Sequence, residues 1–185
     1  GWVLLSGPEG SGKSHLALGL LAEWSAGQRR ACYVPCRERG AAELLESGDA
    51  ELAVVEDIEA LAGRSNAELG LFNALNRWRA ARTAVLMTGS GATPFDLPDL
   101  VSRVSQAARL TLKPLDDEGL SRLIGQLIAD FHVVPGRGLV EYLMRHGPRS
   151  AGSLAELFER ISRRAQAERR VVSVPLVRDA LKNGA

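Results

Sequence analysis

The sequence predicts an α/β fold: a three-layer parallel sheet followed by a small, helical C-terminal domain. Three observations carry this. Short apolar runs alternate with helix-length segments over residues 1–113. The first of these runs leads straight into a glycine-rich loop. After Pro114 the strand-like runs stop and only helical spacings remain, so the domains are expected at 1–113 and 114–185.

Trp2-Val3-Leu4-Leu5 suits a buried strand, and Gly7-Pro8-Glu9-Gly10-Ser11-Gly12-Lys13-Ser14 follows it as a complete G-x-x-x-x-G-K-[ST] motif. His15 to Ala26 carries Leu16, Leu18, Leu20, Leu21 and Trp24 without proline, which suits a helix. Strand, loop and helix in this order separate a phosphate-binding loop from a turn with an exposed lysine. The chemistry follows from the residue types. Backbone N–H groups from Glu9 to Ser14 would wrap phosphates, with Gly10 and Gly12 free to take positive φ. The helix start adds partial positive charge. Lys13 would neutralise the β- and γ-phosphates, and the Ser14 hydroxyl would ligate Mg²⁺. Pro8 to His15 is therefore the candidate nucleotide-binding segment.

Residues 30–35 read as a second strand closed by Pro35, and Gly40–Ser47 as a short helix. Leu52-Ala53-Val54-Val55 is a continuous apolar run ended by Glu56-Asp57, the pattern of a strand buried on both faces. Ser65-Asn66-Ala67-Glu68 reads as a capping box opening a helix with Leu71, Phe72, Leu75 and Trp78 on one side. Thr83–Met87 and Ala108–Leu112 read as strands, with a loop from Thr88 to Pro98 between. Asp116 and Asp117 start a helix that continues to Phe131 and is broken by Pro135-Gly136. A second helix spans Leu139–Arg145. Ser153-Leu154-Ala155-Glu156 is another capping box, and Ser173 and Pro175 open a last helix.

Composition excludes several classes. The chain is 45% hydrophobic and 24% charged with a net charge of +1, values that fit an ordinary globular protein. No apolar run reaches membrane-spanning length and no signal peptide is visible, so a cytoplasmic protein without membrane contact is expected. The first residue is Gly1 rather than Met, and a preceding N-terminal segment is expected. Cys32 and Cys36 are too few for a disulfide framework and match no zinc or redox spacing; reduced, partly buried thiols are expected. From Arg137 onward basic residues outnumber acidic ones. Two readings stay open there: a solvated helix face, or contact with an acidic partner or nucleic acid.

The order of parts resembles the AAA+ ATPases. Gly12-Lys13-Ser14-His15-Leu16 is similar to the G-K-T-H-L signature of the DnaA-related group, and Val55-Glu56-Asp57-Ile58-Glu59 to its I-D-D-I-Q or I-D-N-I-E segment. Phe72-Asn73-Ala74-Leu75-Asn76-Arg77 resembles the following helix. Leu97-Pro98-Asp99-Leu100-Val101-Ser102-Arg103 is similar to the L-P-D-L-x-S-R segment of the regulatory inactivators of DnaA (Hda). Arg169-Arg170-Val171-Val172-Ser173-Val174-Pro175 resembles their Q-R-K-L-T-I-P-F terminus.

The resemblance implies ADP or ATP with Mg²⁺ as cofactors. Lys13 and Ser14 match the family fully. Glu56 stands at the position of the metal-binding aspartate, one methylene longer, and Asp57 at that of a catalytic acid or asparagine; both also suit a plain strand-end cap. Ser90 falls where a polar sensor is expected, and Arg103 where an arginine finger follows a short helix. The lid's sensor arginine would fall near Gly152, with Arg149 three residues earlier as a substitute. The resemblance implies intact nucleotide binding, while Glu56, Ser90 and Gly152 imply weak self-hydrolysis. The implied function is negative regulation of replication initiation: Arg103 offered in trans to ATP-loaded DnaA, with the sliding clamp as a second partner through an N-terminal peptide. A homo-oligomer is also implied as possible. Two alternatives remain, a DnaA-type initiator ATPase and a helicase-loader ATPase.

Overall fold

Strands β1 (Trp2–Ser6), β2 (Ala31–Pro35), β3 (Leu52–Glu56), β4 (Ala84–Gly89) and β5 (Ala108–Thr111) form one parallel sheet in the order β2-β3-β4-β1-β5. This is a computed structural model, and it describes residues 1–47, 50–92, 94–168 and 171–182. Thr93 of the Thr88–Pro98 loop, and Arg169 and Arg170 of the segment resembling the inactivator terminus, lie outside the described residues. The chain divides into two compact units, Gly1–Pro8 with Lys13–Leu112, and Glu9–Gly12 with Lys113–Ala185.

In the first unit the strands alternate between two buried faces. Leu4, Ala53, Val55, Val85 and Met87 pack with Leu71, Leu75 and Trp78 of α3 (Ser65–Ala80), Leu45 of α2 (Ala41–Ser47), and Leu100 and Val104 of α4 (Pro98–Ser105). Leu5, Leu52, Val54 and Leu86 pack with Ala17 of α1 (Lys13–Ala26). Every residue of β3 is buried, as its continuous apolar run requires. Helices on both faces make the third layer. The register sets Ser6 beside Gly89 and Val55 beside Met87, so the carboxyl ends of β1, β4 and β3 lie level.

The second unit is built from α5 (Asp117–Asp130), α6 (Leu139–His146), α7 (Ala151–Ala167) and α8 (Val174–Lys182). Leu120, Ile124, Leu143, Leu154, Phe158, Ile161 and Leu176 fill its core, and the Phe131 and Phe158 ring centroids are 6.3 Å apart. The Asp116 carboxylate accepts the Gly119 N–H at 2.7 Å and caps α5 as expected.

Three local expectations are corrected. Glu68 does not close a capping box on Ser65: α3 already includes Ser65, its N-cap is Arg64, and the Glu68 carboxylate instead accepts from Gly63, Asp96 and Leu97 N–H. The cap of α7 is Ser150, which accepts the Ser153 N–H at 3.1 Å, so the helix starts before the Ser153 box. The second unit is also not purely helical. Pro135 pairs with Val172 in a parallel bridge, with Gly136 N–H to Val172 O at 2.9 Å and Val172 N–H to Val134 O at 3.0 Å. A Cβ at Gly136 would stand 3.1 Å from Val172 O, so a larger residue there would have to push the paired backbone aside by a few tenths of an ångström.

Glu68 is 1% exposed. Burial pushes its carboxyl up, but the N–H groups of Leu97, Asp96 and Gly63 together hold it below its ordinary 4.5. A group depressed in the folded state stabilises fully above its unfolded pKa and loses that contribution as pH falls through the folded one. Stability of the unaltered chain should therefore fall below about pH 4.5 more steeply than that of Glu68→Gln, as read by urea unfolding across pH. Ser150→Ala should cost about 1 kcal/mol, and Ser153→Ala less than about half of that, in the same unfolding measurement.

Candidate functional site

The loop after β1 brings its lysine back onto itself. Lys13 Nζ donates to Gly7 O and Pro8 O, both at 2.9 Å, at the first residue of α1. An ammonium carries a third N–H, which these two bonds leave over for an anion. Gly10 (φ 71°) and Gly12 (φ 95°) hold the left-handed backbone that the motif requires of them. Ser14 and His15 are exposed in the first turn of α1. Pro8 and Glu9 are exposed, and Ser11 Oγ is a buried hydroxyl oxygen without a partner among the described residues.

β3 delivers two carboxylates with different surroundings. Glu56 is 7% exposed, with one oxygen accepting from the Tyr33 hydroxyl of β2 and Oε1 buried without a partner among the described residues. Burial, then the hydrogen bond to Glu56, then the Glu56, Glu38 and Asp57 charges push the Tyr33 phenol well above its usual range, so it stays a donor. Asp57 turns out of the strand in left-handed backbone (φ 53°, ψ 54°). Its N–H donates to Thr88 Oγ1 of β4 at 3.0 Å, and its Oδ2 accepts from Arg37 Nε at 2.6 Å. Asp57 thus heads the 3-10 helix Ile58–Leu61 with no side-chain cap hydrogen bond to it.

Ser90 directly follows β4 and is exposed. Its N–H donates to Glu59 Oε1 at 2.9 Å. Glu59 Oε2 is buried without a partner among the described residues, 2.5 Å from where a Cβ at Gly89 would lie, so glycine at 89 allows the close approach. Arg103 lies within the last turn of α4 rather than after it. Its Cζ stands 6.0 Å from the Phe72 ring centroid, and Phe72, Asp99, Ser102, Arg103 and Gln106 line a shallow cavity. In the second unit Arg149 Nη1 pairs with Asp117 Oδ1 at 2.6 Å, both exposed, and Gly152 lies in the first turn of α7.

The first unit therefore brings Lys13, Ser14, Glu56, Asp57 and Ser90 to the carboxyl ends of adjacent parallel strands, where open α/β sheets bind ligands. Tyr33, Arg37, Glu59, Thr88 and Glu68 were not singled out as site residues by the sequence. Each reaches its partner across the sheet or between loops, and no local spacing marks such a contact. Both cysteines are free thiols, Cys36 being pushed up to about 12 by burial and then by the Asp57 charge.

Solved structures with a similar arrangement include replication initiators and a branch migration motor. Domain III of the Thermotoga maritima replication initiation protein DnaA superposes with a TM-score of 0.82 at 15% identity, over 98% of this chain and 83% of that one. The fold is that of the AAA+ P-loop ATPases. A replication initiator DnaA bound to AMPPCP and single-stranded DNA matches with a TM-score of 0.73 at 15% identity, over 91% of this chain and 58% of that one. The Thermotoga maritima RuvB Holliday junction branch migration motor matches at 0.68 and 17%, over 97% and 60%. No protein-family model matches the chain. No helix among the described residues is long and apolar enough to cross a membrane.

The donor set fits a phosphate chain and a hard cation. Lys13 and the loop amides suit phosphates, and Glu56 Oε1 is an acceptor still lacking a partner. Among the described residues no group of three or more His, Cys, Asp and Glu side chains could hold a metal by itself. A cation there would depend on phosphate oxygens for its other ligands, as Mg²⁺ does in such sites. Tyr33→Phe should leave the buried Glu56 carboxylate without its donor and lower stability by about 1–3 kcal/mol, read by urea unfolding.

Proposed function

We propose that the chain binds ADP or ATP with Mg²⁺ at its phosphate loop and acts as a nucleotide-bound regulator of replication initiation. In this reading residues 1–113 bind nucleotide and 114–185 form its lid. Lys13 neutralises the phosphates, and Ser14 and Glu56 serve the cation. Arg103 is offered in trans to the ATP of a DnaA partner and promotes its hydrolysis, with ordered contacts to a sliding clamp or a second copy of the chain as further associations.

One contrast carries the reading. The phosphate loop is complete, while Asp57, the carboxylate best placed in sequence to polarise water, is tied to the Arg37 guanidinium at 2.6 Å. That contact occupies Oδ2 and fixes the carboxylate's orientation away from a free role on water, so the site suits holding nucleotide more than turning it over. The exposed Ser90 hydroxyl in place of a carboxylate or amide sensor points the same way.

A second reading, a DnaA-type initiator ATPase, is supported by the match to DnaA domain III over 98% of the chain. A helicase loader is the third. Both predict single-stranded DNA binding whose affinity falls steeply with salt; the regulator reading does not require it.

Calorimetric titration with ADP and ATP should give binding, and Lys13→Ala should weaken it by about 10- to 100-fold, the value of a lost charge-assisted contact. With nucleotide bound, the chain should accelerate ATP turnover by DnaA. Arg103→Ala should abolish most of that acceleration, since a finger in trans is worth about 10³–10⁵ in rate. Equal acceleration by Arg103→Ala sinks the proposal.

A further inference from the structure

Glu68 occupies a position where a carboxylate needs a reason to be. It is 1% exposed, and charged groups are almost never that buried unless partners surround them. Its partners are all backbone N–H groups. Oε1 accepts from Gly63 at 2.8 Å and Asp96 at 3.2 Å, and Oε2 from Leu97 at 2.8 Å. Gly63 lies just before α3, whereas Asp96 and Leu97 lead into α4.

Leu97 is the N-cap residue of α4 and has no side-chain cap of its own, and Pro98 follows it within the first turn. In an ordinary capping box the glutamate that takes the N-cap N–H belongs to the same helix. Here it comes from α3. Its negative charge also lies at the positive end of α4. The same helix touches the other end of α4. Phe72, four residues after Glu68 and so on the same side of α3, stands against Arg103 with 6.0 Å between ring centroid and Cζ. Two residues one turn apart on α3 thus meet the first and last turns of an eight-residue helix. The start of the same connection is held by a second carboxylate, Glu59, through the Ser90 N–H.

The geometry points to Glu68 as the positioning residue that sets where α4 holds Arg103, and through it the rate at which Arg103 acts on a partner's nucleotide. This rests on the reading of Arg103 as a finger. Glu68 touches no nucleotide and acts only through the backbone it holds. Leu100 and Val104 hold the buried face of α4 while Glu68 fixes its start, and an error of about 1 Å at a reacting group can cost about a hundredfold in rate.

The test uses the full chain with Glu68→Gln, which keeps size and one acceptor oxygen but turns the other into a donor facing an N–H. Glu68→Asp, which keeps the charge and shortens the reach, is the second variant and decides the matter if Glu68→Gln does not fold. Three readouts are taken: ADP affinity by calorimetry, the concentration dependence of stimulated ATP turnover by DnaA, and the NMR signals of the Asp96 and Leu97 amides and the Arg103 Nε–H. The expected result is ADP affinity and half-saturating concentration within about twofold of the unaltered chain, and a maximal stimulated rate lower by about tenfold or more. Faster amide exchange at Asp96 and Leu97 and a displaced Arg103 signal should accompany it.

A stimulated rate equal to that of the unaltered chain overturns the inference, as does a loss confined to half-saturation. If the unaltered chain stimulates no turnover, or Arg103→Ala stimulates equally well, the finger reading has failed instead. Glu68 is then judged by the NMR signals alone: displaced signals support its anchoring of Arg103, and unmoved signals refute it.

Discussion

Burial of a parallel sheet on both faces is the constraint from which the first unit follows. Leu4 and Leu5 of β1 must each find a different apolar layer, and so must Val54 and Val55 of β3. Helices are needed above and below to supply those layers, and each crossover returns the chain in the same direction. Parallel direction then places every strand's carboxyl end on one edge. Lys13 and Ser14, the Glu56-Asp57 pair and Ser90 are neighbours because β1, β3 and β4 are neighbours, although they are far apart in the chain.

Once there, the polar groups are arranged by hydrogen bonds that the sheet makes possible. Tyr33 reaches Glu56 because β2 pairs with β3 in a register that sets Pro35 beside Glu56. Thr88 takes the Asp57 N–H because β3 and β4 are level at their ends. Glutamates 59 and 68 gather amides from the connection between β4 and α4 that no regular element satisfies. A buried amide without an acceptor is costly, and a carboxylate with several amides is favourable even when enclosed. Ser90 and the start of α4 are therefore held by the segment that also carries Glu56 and Asp57. That is a physical route by which the state of one could reach the others.

The strong local signals were legible in the sequence. β3 was marked by four apolar residues ending in two carboxylates, the phosphate loop by its glycines and lysine, α5 by Asp116. The two capping boxes were legible and misleading. Ser65 and Ser153 carry the right spacing, but Ser150 offers an equally good cap three residues earlier, and Glu68 finds better donors in Asp96 and Leu97 than in its own helix start. The Pro135–Val172 bridge has no signature in the sequence because a single paired residue leaves no periodicity.

By itself the sequence determined the alternation of strand and helix in the first unit and the glycine-rich loop between β1 and α1, because these depend on contacts between residues close in the chain. Only the tertiary structure decided that Asp57 is paired with Arg37, that Glu56 leans on Tyr33, and that Glu68 serves another helix. Each of these joins groups 20 or more residues apart, and the choice among possible partners is made by strand register and by which amides burial leaves without water.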